Sequence, residues 1–161
     1  MTSSSDTGRE RTALLLLGCP QVPVQTSMAL YLVHMLKEQG IEPVVAGTPS
    51  ARRLLEVADP DRHYLGEMAD LDRVIDEITG RVRDFDSCFV FIHNDSGIAY
   101  AGTMAYISGA KLYALLFGEA AEDLVDEIEF SCEIVAARAV HSPMPLKRKL
   151  DEVMGWVASM R

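Results

Sequence analysis

Along this chain, short unbroken apolar runs alternate with longer segments whose apolar positions recur at helical spacing. The first run, Thr12 to Leu17 (TALLLL), ends at Gly18. With no polar residue alternating inside it, the run predicts a strand buried on both faces. Thr26 to Gln39 predicts a helix stopped by Gly40, and Ile41 to Ala46 a second strand. Thr48-Pro49 then places an N-cap before a proline, opening a helix to about Ala58.

The segment Asp59 to Met68 (DPDRHYLGEM) reads as an irregular connection. Asp70 caps an amphipathic helix with Leu71, Val74, Ile75 and Ile78 on one face. Ser87 to Ile92 (SCFVFI) is the third expected strand, breaking into the polar loop His93-Asn94-Asp95-Ser96-Gly97. A small-residue helix over Ile98 to Ser108, a strand over Lys111 to Phe117 stopped by Gly118, and an acidic helix over Glu119 to Ile128 follow. A fifth strand is expected within Glu133 to Val140, and Ser142-Pro143 repeats the cap and proline signature before a last helix reaching Met160. Strand and helix alternate throughout, with one extra helix between the second and third strands. Parallel strands need such crossovers, and those are right-handed. The expectation is a doubly wound α/β fold of Rossmann or flavodoxin type, with a parallel five-stranded sheet in the order 2-1-3-4-5.

Composition narrows the function classes. The chain has 161 residues, 48% of them hydrophobic and 24% charged, which suits one domain over residues 11–161 and excludes wholesale disorder. Thr2 to Glu10 is polar and lacks an apolar h-region, so residues 1–10 read as a disordered tail, not a signal peptide. A formal charge of −9, with no basic stripe to offset it, repels phosphate backbones and argues against nucleic-acid binding. Cys19, Cys88 and Cys132 are too few and too widely spaced for a disulfide framework or zinc knuckle, which places the protein in a reducing, cytoplasmic compartment. The apolar stretch Met28 to Leu36 is too short to cross a bilayer, so no membrane insertion is expected.

Familiar cofactor fingerprints are missing: the first strand is followed by Gly18-Cys19-Pro20-Gln21-Val22-Pro23, with no glycine-rich dinucleotide or phosphate loop. No intrinsic cofactor is expected. In open α/β sheets, ligands sit beyond the carboxyl ends of the strands where the order reverses. In the expected order, Gly18-Cys19-Pro20 then faces His93 to Gly97, with Gly47-Thr48, Phe117-Gly118-Glu119 and His141-Ser142-Pro143 nearby.

Each candidate has a plainer reading beside it. Cys19 is either a nucleophile whose thiolate a helix dipole and an imidazole stabilise, or a small thiol at a tight turn; Pro20 and Pro23 delay the helix and weaken the first. His93 and Asp95 are either a polar clamp or turn chemistry relieved by Gly97. His93 is the best metal candidate. Ser96, Asp95 and His141 contain the types of a catalytic triad, but no nucleophile-elbow motif supports one. Cys88, Cys132 and the methionines at 28, 35, 104 and 154 read as packing, His34 as a core or interface residue, and His63 as solvated. Glu119 to Glu129 reads as a solvated face, and Trp156 as an anchor for the last helix or for a partner.

Three strings, ALLLLGCPQVPVQTSMALYL (Ala13 to Leu32), FVFIHNDSGIAYAGTM (Phe89 to Met104) and AVHSPMPLKRKLDEVMGW (Ala139 to Trp156), resemble a small family of methanogenic archaea, domain of unknown function 1890. The resemblance implies a cytosolic methanogen protein without an assigned catalytic activity. It also implies an accessory role at the membrane methyltransferase that passes a methyl group from tetrahydromethanopterin to coenzyme M, docking on its corrinoid-carrying part. Cys19, His93, Asn94, Asp95, Ser96, Gly97 and His141 would then form a ligand- or partner-binding crest. His93 would be a contact to the partner-bound corrinoid, since imidazole ligates cobalt and iron well. Asp95 and Ser96 do not complete the D-x-H-x-x-G pattern of domains that hold their own cobalamin. The alternative is a small thiol-dependent transfer or redox enzyme using Cys19. Homo-oligomerisation is left open by the sequence.

Overall fold

The structure, a computed structural model, describes residues 11–156; the expected tail lies outside them, and the last helix, expected to reach Met160, instead ends at Met154, where Gly155 turns left-handed at φ +72°. Each of the five expected strands forms, and a sixth joins them: β1 is Arg11–Leu17, β2 Ile41–Gly47, β3 Glu67–Asp70, β4 Ser87–Ile92, β5 Lys111–Leu116 and β6 Glu133–Ala136. All neighbours pair parallel, in the order β3-β2-β1-β4-β5-β6. The five expected strands keep their expected order. The sheet nevertheless has six strands, not five, because β3 joins its edge beside β2.

The missed strand has a local cause. Its sequence is Glu-Met-Ala-Asp, with neither β-branched residues nor alternation to mark it. It is delivered by the segment before it. The carboxylate of Asp59 is buried and accepts the backbone N–H groups of His63, Tyr64 and Leu65 at 2.8, 3.0 and 2.9 Å. That knot drives Leu65 into the core and leads the chain along β2. Arg83 holds Glu67 from outside at 2.8 Å.

The helices are α1 (Val24–Glu38), α2 (Pro49–Ala58), α3 (Leu71–Thr79), α4 (Asp95–Ile107), α5 (Ala121–Val125) and α6 (Met144–Met154). Pleating divides β1 between two cores: Ala13, Leu15 and Leu17 pack with α1, α2 and α6, while Leu14 and Leu16 pack with α3, α4 and α5. An unbroken apolar run is what such a strand requires. Each fully buried leucine contributes roughly 2 kcal/mol by removal from water.

Several boundaries move. Thr48 and Asp70 cap as expected, accepting from Ala51 and from Asp72 and Arg73. Ser142 does not cap: Pro143 is the N-cap residue of α6, without a side-chain bond, and the helical proline is Pro145. The acidic helix shortens to α5, after Gly118 turns the chain at φ +89°. α4 begins at Asp95 rather than Ile98, so most of the expected polar loop is the helix's first turn.

Tyr31 on α1 donates to buried Asp151 on α6 at 2.5 Å, and Lys147 donates to the same carboxylate at 2.8 Å. Trp156 lies edge-on to Tyr31 at 6.4 Å and is buried, so it anchors the last helix. Met28, Met35 and Met104 fill the cores, and Met154 packs against one. No helix among the described residues is long and apolar enough to cross a membrane.

Candidate functional site

β1 and β4 are neighbours, yet the helices after them leave to opposite faces, α1 to one and α4 to the other. The two exits therefore diverge, as expected where strand order reverses. Between them lies a cleft of about 190 Å³, lined by Gly18, Cys19 and Gln21 from one exit and by His93, Asn94, Ser96, Gly97 and Tyr100 from the other. Thr48 and Phe91 complete the lining. Among the described residues, none of those lining it carries a formal charge.

The first turn of α4 builds one wall. Asn94 is the N-cap, its Oδ1 accepting the Gly97 N–H at 3.3 Å, so its turn role is real. Gly97 is buried with no room for a side chain: a Cβ there would stand 2.9 Å from the Ile92 Cα. Only glycine lets α4 start this close to β4. Asp95 and His141 are exposed and outside the cleft lining, so the cleft does not gather Ser96, Asp95 and His141. The His141 segment still borders the crest: the Ala139 carbonyl accepts from Gly118 N–H at 2.8 Å, and the Val140 carbonyl from Val24 N–H at 3.1 Å.

His93 is the unusual residue of the cleft. Its ring tilts against Phe117 at 5.4 Å, and both ring nitrogens are buried without a hydrogen-bond partner. Burial lowers its pKa from the ordinary histidine value, because desolvation disfavours the imidazolium. It is therefore a neutral imidazole at neutral pH.

Gln25 was not singled out by the sequence. Its side chain is only 1% exposed, its Nε2 donates to the Gly18 carbonyl at 3.0 Å, and its Oε1 is buried without a partner. A glutamine on the buried stripe of α1, beside Val24, Met28 and Leu32, was the available signal. Tyr100, one turn along α4 from Ser96, was also missed.

The start of α1, where many doubly wound proteins cradle phosphate, is occupied by its own backbone. Pro23 has no N–H, Val24 N–H is given to Val140, and Gln25 N–H goes to the Val22 carbonyl at 3.2 Å.

Cys19 is exposed in the cleft mouth, whereas Cys88 is buried in β4 and Cys132 is half-buried. Burial pushes both of the latter thiols up, helped by Asp84 at Cys88 and Glu133 at Cys132, so neither offers a ready thiolate. His34 is half-buried and edge-on to Tyr64 at 5.6 Å, and His63 is exposed. Among the described residues no three His, Cys, Asp or Glu side chains are grouped to hold a metal.

Residues 14–153 match the family described as a domain of unknown function, DUF1890. The chain belongs to that family. It is 33% identical over 145 residues to the uncharacterised protein MJ0452 of Methanocaldococcus jannaschii, covering 89% of this chain and 97% of that protein. The solved structure of MT0777 superposes with a TM-score of 0.83 at 38% identity, covering 89% of this chain and 97% of that one. In this DUF1890 chain the matched span contains every candidate from Cys19 to His141. The family resemblance carried by the three sequence strings is thereby upheld.

Proposed function

We propose that this DUF1890 chain is a non-catalytic accessory or regulatory binding protein of methanogen one-carbon metabolism. It docks through its crest on the corrinoid-carrying part of the membrane methyltransferase that passes a methyl group from tetrahydromethanopterin to coenzyme M. The choice of partner rests on the family resemblance. The observation that supports a binding role is His93: a neutral imidazole with two unsatisfied nitrogens, at a charge-free cleft on the strand exits. A binding site keeps such a group because a ligand satisfies it. One imidazole suits a contact to a metal that a partner's macrocycle already holds, and it does not suit an independent metal centre.

The test is a titration of the purified corrinoid methyltransferase complex with the parent and with the His93→Ala, Asp95→Ala double variant, alongside thermal melts of both. The double variant is expected to fold and to bind more weakly, by about 1–3 kcal/mol for a desolvated contact. Equal binding by a folded double variant removes the crest as the docking face. No binding by the parent removes the partner.

Exposure of Cys19 in the same cleft favours the second reading, a small thiol-dependent transfer or redox enzyme. The accessory role predicts that Cys19→Ser binds the complex as tightly as the parent.

A further inference from the structure

We infer that the outer side of α1, together with the flank of α2 beside it, is the interface through which two copies of this chain form a two-fold dimer. This surface lies away from the cleft, and the inference does not rest on the docking role.

The composition of α1 is that of a covered helix. From Val24 to Leu36 it carries no charged residue. Its stripe turned away from the sheet, with Leu30, Tyr31 and His34, is only half-buried by the fold. A surface helix turns a charged face to water, and one without such a face is covered by something. α2 extends the same surface. Arg52 reaches Asp70 at 3.5 Å, at the β3 edge of the sheet. Leu54 and Val57 lie on the opposite flank of α2, the flank nearer α1, and both are exposed. Tyr64 joins the two helices: it is exposed too, and it stands edge-on to His34 at 5.6 Å. α6 bounds the face on its other side, where the Lys147 ammonium stands 4.9 Å from the Tyr31 ring.

The distribution of charge points to a second copy as the occupant. A chain of net charge −9 repels itself unless its acidic groups stay clear of the contact. Here they do. On the far side of the sheet α3, α4 and α5 carry six acidic residues and one basic, whereas α1, α2 and α6 carry four acidic and six basic. Charges of both signs border the uncharged centre, Arg53 and Glu56 on α2 and Arg148 and Glu152 on α6. An apolar centre with a mixed polar rim is the anatomy of a protein interface, and a two-fold contact can pair such a rim with itself. A partner of strong single sign would find no matching field on this face. Size agrees: α1 is about 22 Å long, and three helices about 10 Å wide give a flat footprint on the order of 650 Å² before their ridges are counted. That approaches the roughly 800 Å² per partner of a standard interface.

The experiment measures the mass of the full-length protein by light scattering and sedimentation over a concentration series, and the mass of two chains is expected. Leu54→Glu combined with Val57→Glu changes only exposed positions; it is expected to keep the parent's circular dichroism and to weaken dimerisation at least tenfold. Tyr106→Glu, on α4 and 91% exposed, is expected to leave dimerisation unchanged. A measurement that needs no variant is the isotope-filtered NOE spectrum of mixed labelled and unlabelled parent, with intermolecular contacts expected at Tyr31, His34 and Tyr64. A parent that stays monomeric, a dimer undiminished by the double variant, a dimer lost on Tyr106→Glu, or intermolecular contacts confined to other elements each overturns the inference. A monomeric parent whose binding to the corrinoid complex is lost in the double variant gives this face to that partner and likewise removes the second copy.

Discussion

At Gly97 two effects compete. Alanine is the better helix former, by up to about 1 kcal/mol in a helix interior. Its methyl carbon would have to share space with the Ile92 backbone, at 2.9 Å from Cα, and backbone cannot rotate away as a side chain does. Overpacking of this kind costs about 1–3 kcal/mol, so the clash wins. Gly97→Ala is expected to lower the unfolding free energy in a denaturant titration by that order; an unchanged midpoint would mean that α4 has room to shift. His93 makes a different prediction. Its folded pKa lies below its unfolded value of 6.5, so the unfolded chain binds the extra proton first. Its contribution to stability is intact above about 6.5 and is lost as pH falls from there through the lower folded value. Melts between pH 7.5 and 5 should show a decline that His93→Phe makes shallower. Parallel profiles for the two proteins would show that His93 does not titrate in this way.

Among the elements, β3 depends on a residue outside it. Asp59 is buried, and desolvation works to raise its pKa, yet the three N–H groups of Leu65, Tyr64 and His63 together hold it below the ordinary carboxylate range. Asp59→Ala removes the acceptor for all three. The expected outcome is faster hydrogen exchange at the amides of His63, Tyr64 and Leu65 and along β3, while β1 and β4 keep their protection. Protection unchanged in that segment would show that pairing with β2 suffices alone. The same elements show what a sequence makes legible. Four of the expected strands were readable because burial on two faces leaves an unbroken apolar run, and Leu14 to Leu17 have no polar alternative to offer; the fifth, at the sheet edge with only Val135 buried, was placed only within the broader span Glu133 to Val140. β3 was not, since it is a four-residue edge strand specified by a carboxylate eight residues upstream. Local signals named the caps at Thr48 and Asp70, where a side-chain oxygen meets nearby amides. The same signature failed at Ser142, where Pro143 and Pro145 set the helix start without it.

For the molecule as a whole, the site was legible in outline from topology. Once β1 and β4 are adjacent with their helices on opposite faces, the exits must part, and Cys19 and His93 must border the gap. Asn94, Ser96 and Gly97 came with the wall of α4. Gln25 and Tyr100 were not legible because their places depend on how α1 and α4 sit against the sheet. Exposed Asp95 and His141 flank the cleft region without lining it, for the same reason: chain position sets the neighbourhood, and side-chain direction is set by packing.

Parallel pairing gives the molecule two unlike ends. β1 begins at Arg11, whose guanidinium donates to the Gln39 carbonyl at the far end of α1, at 2.7 Å, and finishes beside the cleft. Its seven residues, at about 3.3 Å each, separate those ends by roughly 20 Å. A tether joined ahead of Arg11 would therefore hold the protein on a sensor surface with the cleft turned outward. A dye on exposed Cys19 would sit at the other end of the same strand once half-buried Cys132 is replaced by serine, since Cys88 is too deeply buried to compete for it. The chain comes with an attachment point and a reporter position at opposite ends of one rigid strand.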